Sequence, residues 1–299
     1  MYDGSTCSAF PGAPTVDPVP SRFTEVADRV WVARYPTYDV NVSLVGGADG
    51  LVVVDTHASA AHAREVVEDV RALGAGDVVR IVNTHEHFDH WLGNGTVRAA
   101  WPDREVAVHA HETAAAAMTA YAADPPSDVP EGTVPAPADH TFSSVAVIDL
   151  GDRAVELVHP GRGHTAGDLV VRVADADVLL AGDLVEESAE REATPGFGAD
   201  CFPLEWPLTL DFVVGLTEEG TTVVPGHGAV SDRDFLLDQR ARIGVLAETI
   251  RDLAERGVRV EDALTDDDVE WPFPRRYLDD AVRRAYDHLP RSQKRLPLL

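Results

Sequence analysis

The chain has 299 residues, of which 44% are hydrophobic, and a formal net charge of −26. A chain of this length and composition can bury one large core, so we expect a single globular protein of mixed α/β class. The charge excludes nucleic acid as a predicted partner, because phosphate binding depends on lysine and arginine and Lys294 is the only lysine. Apolar runs of about 18 residues and a secretory leader are not found, and Cys7 and Cys201 are the only cysteines. These features predict a cytoplasmic protein without a membrane partner.

The first part of the chain is predicted to alternate between strands and helices. Residues 1–21 lack periodicity and are predicted to form an irregular arm. Residues 22–55 are predicted to form a meander of three strands that ends at Asp55. Helical spacing follows over Ala58–Leu73, and Gly74 is suited to end that helix. The β-branched run Asp77–Asn83 is typical of a buried strand.

The most informative segment follows this strand. It reads Thr-His-Glu-His-Phe-Asp-His-Trp over residues 84–91, so three imidazoles and a carboxylate fall within six residues: His85, His87, Asp89 and His90. A cluster of His and Asp on a loop after a buried strand is typical of a metal site, because the strand fixes the position and the loop supplies the reach. The spacing lets His85 and His87 leave the same side of an extended segment. Asp89 and His90 can then reach a second ion.

Three further candidate ligands occur singly in similar settings. His164 lies in a glycine-flanked loop between the predicted strands Val155–Pro160 and Leu169–Val173. Asp183 stands where the predicted strand Val178–Asp183 stops, and His227 lies between two glycines after the run 222–225. Each residue alone is explained as well by hydrogen bonding, but their positions at successive strand ends favour one shared metal site.

Two loops are predicted to shape a substrate pocket. Residues 122–143 are rich in Pro and Asp and form the first predicted loop. Residues 191–207 form the second, and the predicted pocket residues are Trp91, Phe197, Phe202 and Trp206. For the aromatic residues of the second loop, burial of the next helix is an equal alternative. The remaining predicted elements are a strand at 106–109 and helices at 112–121, 208–216, from 232 onward, 260–264 and 276–288.

In their order, these motifs resemble those of the metallo-β-lactamase superfamily over most of residues 22–230. The resemblance implies an αββα four-layer sandwich of two mixed β-sheets flanked by helices, with residues 231–299 as C-terminal helices packed on the same domain. It implies that His85, His87 and His164 hold one metal ion, that Asp89, His90 and His227 hold a second, and that Asp183 bridges them. Asp55 would orient ligands from behind. The family usually has Gly two residues after this Asp, where this chain has His57, so the role of His57 stays open, as do those of His109 and His111.

The ligand set implies the chemistry. Imidazole and carboxylate ligands suit zinc, and also iron or manganese. The resemblance predicts two Zn²⁺ per chain and hydrolysis of a small ester, thioester, lactone or amide by a metal-bridging hydroxide, with Asp89 also handling a proton. A small molecule is the predicted partner, and the oligomeric state is left open. Asp183, where many true β-lactamases of the superfamily have Cys or Ser, argues against a dedicated antibiotic-degrading enzyme.

Three alternatives are kept. One is a mononuclear iron dioxygenase of the same superfamily that oxidises sulfur compounds. The second is a promiscuous β-lactamase. The third is a metal-binding or partner-binding module without catalytic activity.

Overall fold

The computed structural model describes residues 20–290. Within this range the strands are β1 Thr24–Ala27, β2 Val30–Tyr35, β3 Val40–Gly47, β4 Gly50–Val54, β5 Val78–Val82, β6 Ala107–His111, β7 His140–Phe142, β8 Val145–Asp149, β9 Ala154–Val158, β10 Val170–Val173, β11 Val178–Glu186, β12 Thr222–His227 and β13 Ser231–Asp232. The helices are α1 Ala60–Leu73, α2 Phe88–Trp91, α3 Asn94–Ala99, α4 Glu112–Ala123, α5 Trp206–Val214, α6 Arg233–Glu255 and α7 Asp279–His288.

The strands form two halves that meet at one edge. The first half has the order β7-β6-β5-β4-β3-β2-β1 and the second has β8-β9-β10-β11-β12-β13. Both halves are mixed, because β4–β7 run parallel in the first and β11 runs parallel to β12 in the second, while their other pairs are antiparallel. The strand ladder continues between the halves only through the pair His227 and Val40.

Three buried clusters show that the two halves face each other between helical layers. Valines of β2–β5 pack against Leu157, Val171 and Leu180 of the opposite half, which forms the central core. The outer face of the first half packs on α1, through Val66, Val67 and Val70, and on α3. The outer face of the second half packs on α5, α6 and α7. This is the predicted αββα sandwich, and residues from 231 to 290 complete its outer layer.

Local signals explain where α1 begins and ends. The Ser59 hydroxyl accepts a hydrogen bond from the His62 amide, so it caps the first turn. Gly74 closes the helix with a φ of 67°, a conformation that glycine adopts without strain. The buried positions recur at intervals of three and four residues, as the sequence predicts.

Two predictions about the strands are wrong. Residues 22–55 contain four strands, because a tight turn at Asp28 and Arg29 divides the first segment into β1 and β2. Asp183 does not stand at a strand end, because β11 continues to Glu186. A register shift at Gly182, which has a φ of 53°, turns the strand there and lets Asp183 leave it toward the centre of the molecule. In the described part of the chain, none of the helices has the length and apolar character needed to cross a membrane.

Candidate metal centre

The predicted ligands converge where the two halves of the fold meet. β5 ends at Val82, and the following loop presents His85 and His87 before the single turn of α2 begins at Phe88. α2 carries Asp89 and His90, which follow directly after the loop that holds the first two. The other half contributes the remaining residues: His164 from the β9–β10 loop, Asp183 from β11 and His227 from the end of β12.

Three imidazoles form the first group. Nε2 of His164 lies 2.7 Å from Nδ1 of His87, and a nitrogen of His85 lies within 4.8 Å of both. Two donors bound to one zinc ion at about 2.0–2.1 Å, with tetrahedral angles, lie roughly 3.3 Å apart. The three nitrogens are therefore spaced for one ion.

The second group contains one carboxylate and two imidazoles. Nε2 of His227 lies 3.3 Å from Nε2 of His90 and 3.4 Å from Oδ2 of Asp89. His90 and Asp89 are 3.8 Å apart through the same Nε2 and Oδ2 atoms. This group also has the spacing of ligands to one ion.

Asp183 lies between the two groups. Its Oδ2 is 3.4 Å from Nε2 of His164 and 3.8 Å from Nε2 of His85, both in the first group. On the other side, its two oxygens lie 3.1 Å from Nε2 of His227 and 3.3 Å from Nε2 of His90. One carboxylate thus reaches both groups.

The donor atoms fit a pair of metal ions. Nε2 of His85 and Oδ1 of Asp183 are buried and have no hydrogen-bond partner among the described residues. Buried polar atoms left in this way are costly unless a cation or another donor or acceptor satisfies them. Imidazole and carboxylate without thiolate are ligands that zinc, iron and manganese accept.

Behind the ligands, two carboxylates hold their rings. Asp55 accepts hydrogen bonds from Nδ1 of His90 at 2.8 Å and from the amide and hydroxyl of Thr84 at 2.8 and 2.9 Å. Asp200 accepts one from Nε2 of His87 at 2.8 Å, which leaves Nδ1 of that ring facing the first group. Such carboxylate contacts fix the ring orientation and make the imidazole a stronger ligand. The sequence predicts Asp55 but not Asp200, which lies 113 residues from His87 in the chain.

The loop that carries His164 is organised by a buried aspartate. Asp168 accepts hydrogen bonds from the amides of Gly163 and Thr165 and from the Thr165 hydroxyl. Burial raises the pKa of Asp168 to about 8, although the bonds from Thr165 oppose this shift. Nearby, a Cβ on Gly226 would lie 1.8 Å from Oδ1 of Asp183. Only glycine at position 226 leaves room for that carboxylate.

The carboxylates also control the protonation of the histidines. Burial lowers the pKa of His227, but the negative charge of Asp183 outweighs it and raises that pKa to about 10. Burial acts in the same direction on His90, where the charges of Asp183 and Asp55 raise the pKa well above its ordinary value. In the first group, burial lowers the pKa of His164 to about 3 and that of His85 well below the usual range.

We expect zinc binding to release protons from His90 and His227. Because the pKa of His227 is raised to about 10 and that of His90 well above its ordinary value, these imidazoles hold protons that a metal ion must displace. Apparent zinc affinity should therefore rise as the pH increases from 7 toward 10. Calorimetric titrations at pH 7 in buffers of different ionisation enthalpy should show release of about two protons per chain. Binding without net proton release would contradict this assignment.

A cavity of about 490 Å³ opens beside the two groups. His87, Asp89, His164, Asp183 and His227 line its floor. Its walls combine aromatic and charged side chains: Tyr38, Phe88, Phe197, Asp39, Glu186, Glu190 and Arg191. Tyr38, Phe88 and Glu186 are not among the predicted pocket residues. For Glu186 a signal existed, since it follows Asp183 by three residues on a strand that enters the site.

Three of the four predicted pocket aromatics do not line the cavity. Trp91 is fully buried, donates to the Glu86 carbonyl and packs on Tyr121. Consecutive helical residues diverge by about 100°, so Trp91 points away from its neighbour His90. Trp206 is also fully buried, behind the ring of His164, and Phe202 stacks on His288 outside the cavity. Phe197 does line the cavity, next to Trp206.

The histidines whose roles were left open have structural contacts. His57 has a φ of 70°, accepts the Ala58 amide and stacks on His62. His111 caps α4 by accepting the Thr113 amide and stacks on His159. His109 packs against His140 on the neighbouring strand. Cys201 is fully buried in the core, and burial raises the pKa of its thiol, so it offers no nucleophile to the site.

Sequence comparison with known proteins identifies the family of this chain. The family model of the metallo-beta-lactamase superfamily matches residues 35–227. A metallo-beta-lactamase type 2 from Bacillus cereus is 30% identical over 198 residues, which are 66% of this chain and 70% of that protein. Another metallo-beta-lactamase type 2, from Bacillus sp. (strain 170), is 28% identical over 197 residues, again 66% of this chain and 70% of the relative.

Solved structures share the fold. A metallo-beta-lactamase from Pontibacter korlensis has a TM-score of 0.60 at 24% identity, over 74% of this chain and 98% of that chain. The mono-zinc form of the metallo-beta-lactamase FIM-1 from Pseudomonas aeruginosa has a TM-score of 0.59 at 20% identity, over 77% of this chain and 96% of its own. The family match spans all seven converging ligands and ends at the last of them, His227. The chain therefore belongs to the metallo-β-lactamase superfamily and is one of its metal-dependent hydrolases.

Proposed function

We propose that this hydrolase holds two zinc ions and cleaves a small ester, thioester, lactone or amide. The observation that carries the proposal is the position of Asp183, whose carboxylate oxygens lie 3.1–3.8 Å from imidazoles of both ligand groups. A single-ion site needs only one of these groups. The second group is complete in this chain, which favours a dinuclear hydrolase over the mononuclear iron dioxygenase.

Two bound ions would lower the pKa of a water molecule toward about 7 and polarise the substrate carbonyl. The residues of this chain position that chemistry. Asp55 and Asp200 orient His90 and His87. Asp89 lines the cavity and is 8% exposed, so its carboxylate can reach a substrate and pass a proton to the leaving group. Tyr38 and Phe88, whose rings meet edge to face at 5.2 Å, offer an apolar wall for the acyl part.

A β-lactam is the second candidate substrate. The two relatives that share 30% and 28% identity are both metallo-beta-lactamases by name. A β-lactam is a cyclic amide, so its hydrolysis needs the same two ligand groups. Nitrocefin turnover, measured with and without a chelator, tests this candidate directly.

Metal content and its loss test the proposal. Protein purified without added metal should contain about two zinc ions per chain by elemental analysis, and a chelator should abolish turnover of thioesters and lactones until zinc is restored. His227→Ala should bind about one ion fewer. His140→Ala provides the control, because it removes a half-exposed imidazole outside the site and should leave the metal content unchanged. One iron per chain without hydrolysis would favour the dioxygenase, and manganese would change only the identity of the ion.

A further inference from the structure

A fixed carboxylate, Glu186, lies in the cavity wall outside the two ligand groups. The residue is 3% exposed and lines the cavity. Its backbone is held from both sides by Gln239, which accepts the Glu186 amide at 3.1 Å and donates to its carbonyl at 2.6 Å. Its Oε1 accepts a hydrogen bond from the Gly196 amide. The carboxylate therefore has a defined position and cannot swing into solvent.

The second oxygen of this carboxylate is free for a ligand. Among the described residues, no side chain or amide donates to Oε2 of Glu186. A carboxylate oxygen of Glu186 lies within 4.8 Å of ligand atoms of His164 and Asp183. A substrate group bound by Glu186 would thus lie a few ångströms from the reacting bond.

Among the described residues no ion pair compensates the charge of Glu186, although the positive charges of His227 and Arg191 act on it. The four positive charges of two divalent ions are met by four carboxylates, Asp89 and Asp183 in the groups and Asp55 and Asp200 behind them. Asp39 bonds to the guanidinium of Arg34 and to the Ser188 hydroxyl. Asp39, which also lines the cavity, thus has partners of its own.

Among the described residues that line the cavity, Arg191 is the only arginine. Its guanidinium donates to the carbonyls of Thr194 and Pro195 and lies over the ring of Tyr277. In the described part of the chain it makes no ion pair with Glu186. The carbonyls of Thr194 and Pro195 therefore hold the guanidinium, which does not occupy the position beside Oε2 of Glu186.

We propose that Glu186 forms a subsite for a cationic N–H donor of the substrate, such as an ammonium group two or three atoms from the scissile carbonyl. This subsite rests on the proposed hydrolase function and narrows its substrates to amino-acyl compounds. The ammonium group would donate a charge-assisted hydrogen bond to Oε2. A substrate with a carboxylate at that place would meet Glu186 as a like charge.

Equilibrium binding tests the subsite without depending on turnover. The probes are three N-benzylamides of matched length, with 3-aminopropanoyl, butanoyl and malonyl groups, titrated calorimetrically into zinc-loaded protein, and chromatography after each titration checks that the amide is recovered uncleaved. We expect the ammonium probe to bind about tenfold more tightly than the butanoyl probe, and the malonyl probe to bind most weakly. In Glu186→Gln, which keeps an oxygen for the Gly196 amide, the preference for ammonium should disappear while the affinity for butanoyl stays within about twofold.

A matched control separates the local contact from the general charge of the cavity. Glu190 lines the same cavity but is exposed, so Glu190→Gln removes one charge that water already screens. The control should retain the preference for the ammonium probe. Equal binding of the ammonium and butanoyl probes by the wild type would overturn the subsite. Tightest binding of the malonyl probe would also overturn it and would indicate that Arg191 binds the carboxylate of that probe.

Metal analysis of the same variants excludes the other role that the geometry allows. If Glu186→Gln loses a zinc ion, Glu186 is a metal ligand and the subsite is wrong. Hydrolysis is scored separately with the corresponding thioesters, read by thiol release. If the protein shows the binding preference but cleaves no thioester, lactone or amide, the subsite is supported and the proposed function is wrong. If the protein cleaves the three thioesters equally and binds the probes equally, the proposed function is supported and the subsite is wrong.

Discussion

Asp183→Asn is expected to lower kcat/KM by at least about a thousandfold and to reduce the zinc content from two ions to one or none. The asparagine keeps the size of the side chain but removes the negative charge that lies between four imidazoles. Metal ions contribute several kcal/mol to stabilising the transition state, and each 1.4 kcal/mol corresponds to about a tenfold change in rate. Steady-state kinetics together with elemental analysis measure both effects.

The pKa of His227 provides an independent readout for this variant. The charge of Asp183 raises that pKa to about 10, so its loss should bring the pKa of His227 down toward the range of an ordinary or buried imidazole. Titration of the metal-free protein followed by NMR would show the change. Asp211→Asn is a suitable control, because Asp211 pairs with Arg240 on the surface and should leave both activity and zinc content unaltered. Full zinc content in Asp183→Asn would contradict the bridging position.

Asp55→Ala is expected to be the most destabilising single substitution among the residues that touch the site. Its carboxylate accepts three buried hydrogen bonds, from the Thr84 amide, the Thr84 hydroxyl and Nδ1 of His90. Leaving a buried donor without an acceptor costs about 1–3 kcal/mol, so the three together correspond to roughly 3–9 kcal/mol. A loss of this size should lower Tm by roughly 5–15 °C and is best followed by thermal unfolding.

Two further variants separate the loss of hydrogen bonds from backbone strain as causes of the lower stability of Asp55→Ala. Asp55 has a φ of 63°, a conformation in which alanine is strained and glycine is not. Asp55→Gly therefore removes the carboxylate without adding backbone strain and should be less destabilised than Asp55→Ala. Asp55→Asn keeps one acceptor oxygen and tolerates the left-handed conformation, so it should lie closer to the wild type. Equal Tm values for the wild type and Asp55→Gly would show that the three hydrogen bonds are unimportant for stability.

The ligand residues could be predicted from sequence because the chemistry restricts their types. The segment from His85 to His90 has no common structural explanation, and the single residues His164, Asp183 and His227 become significant by their order behind separate strands. The layers of the fold could also be predicted, because the periodicity of a helix or a strand is visible in the local sequence and does not depend on long-range contacts. The ends of strands could be predicted less well from sequence, as the extension of β11 beyond Asp183 shows.

The pocket could not be predicted because it depends on which way side chains face. Trp91 is adjacent to a ligand in sequence, yet its indole packs in the core with Tyr121. Asp200 reaches the site through a loop and has no distinctive local pattern, and Glu186 is marked only by its position after Asp183 on a bulged strand. Contacts between residues far apart in sequence leave no local pattern, whereas residue type together with position near a strand end indicates a metal ligand.

The division of the ligands between the two halves of the sandwich makes their alignment part of the catalytic apparatus. The first half supplies His85, His87, Asp89 and His90, and the second supplies the other ligands, while the strand ladder between the halves is a single residue pair. A rotation of one half against the other would change the geometry of both ligand groups at once. The valines between the sheets thus set the interatomic distances of a site that they never touch, and a methyl group lost from that central layer can become a kinetic defect.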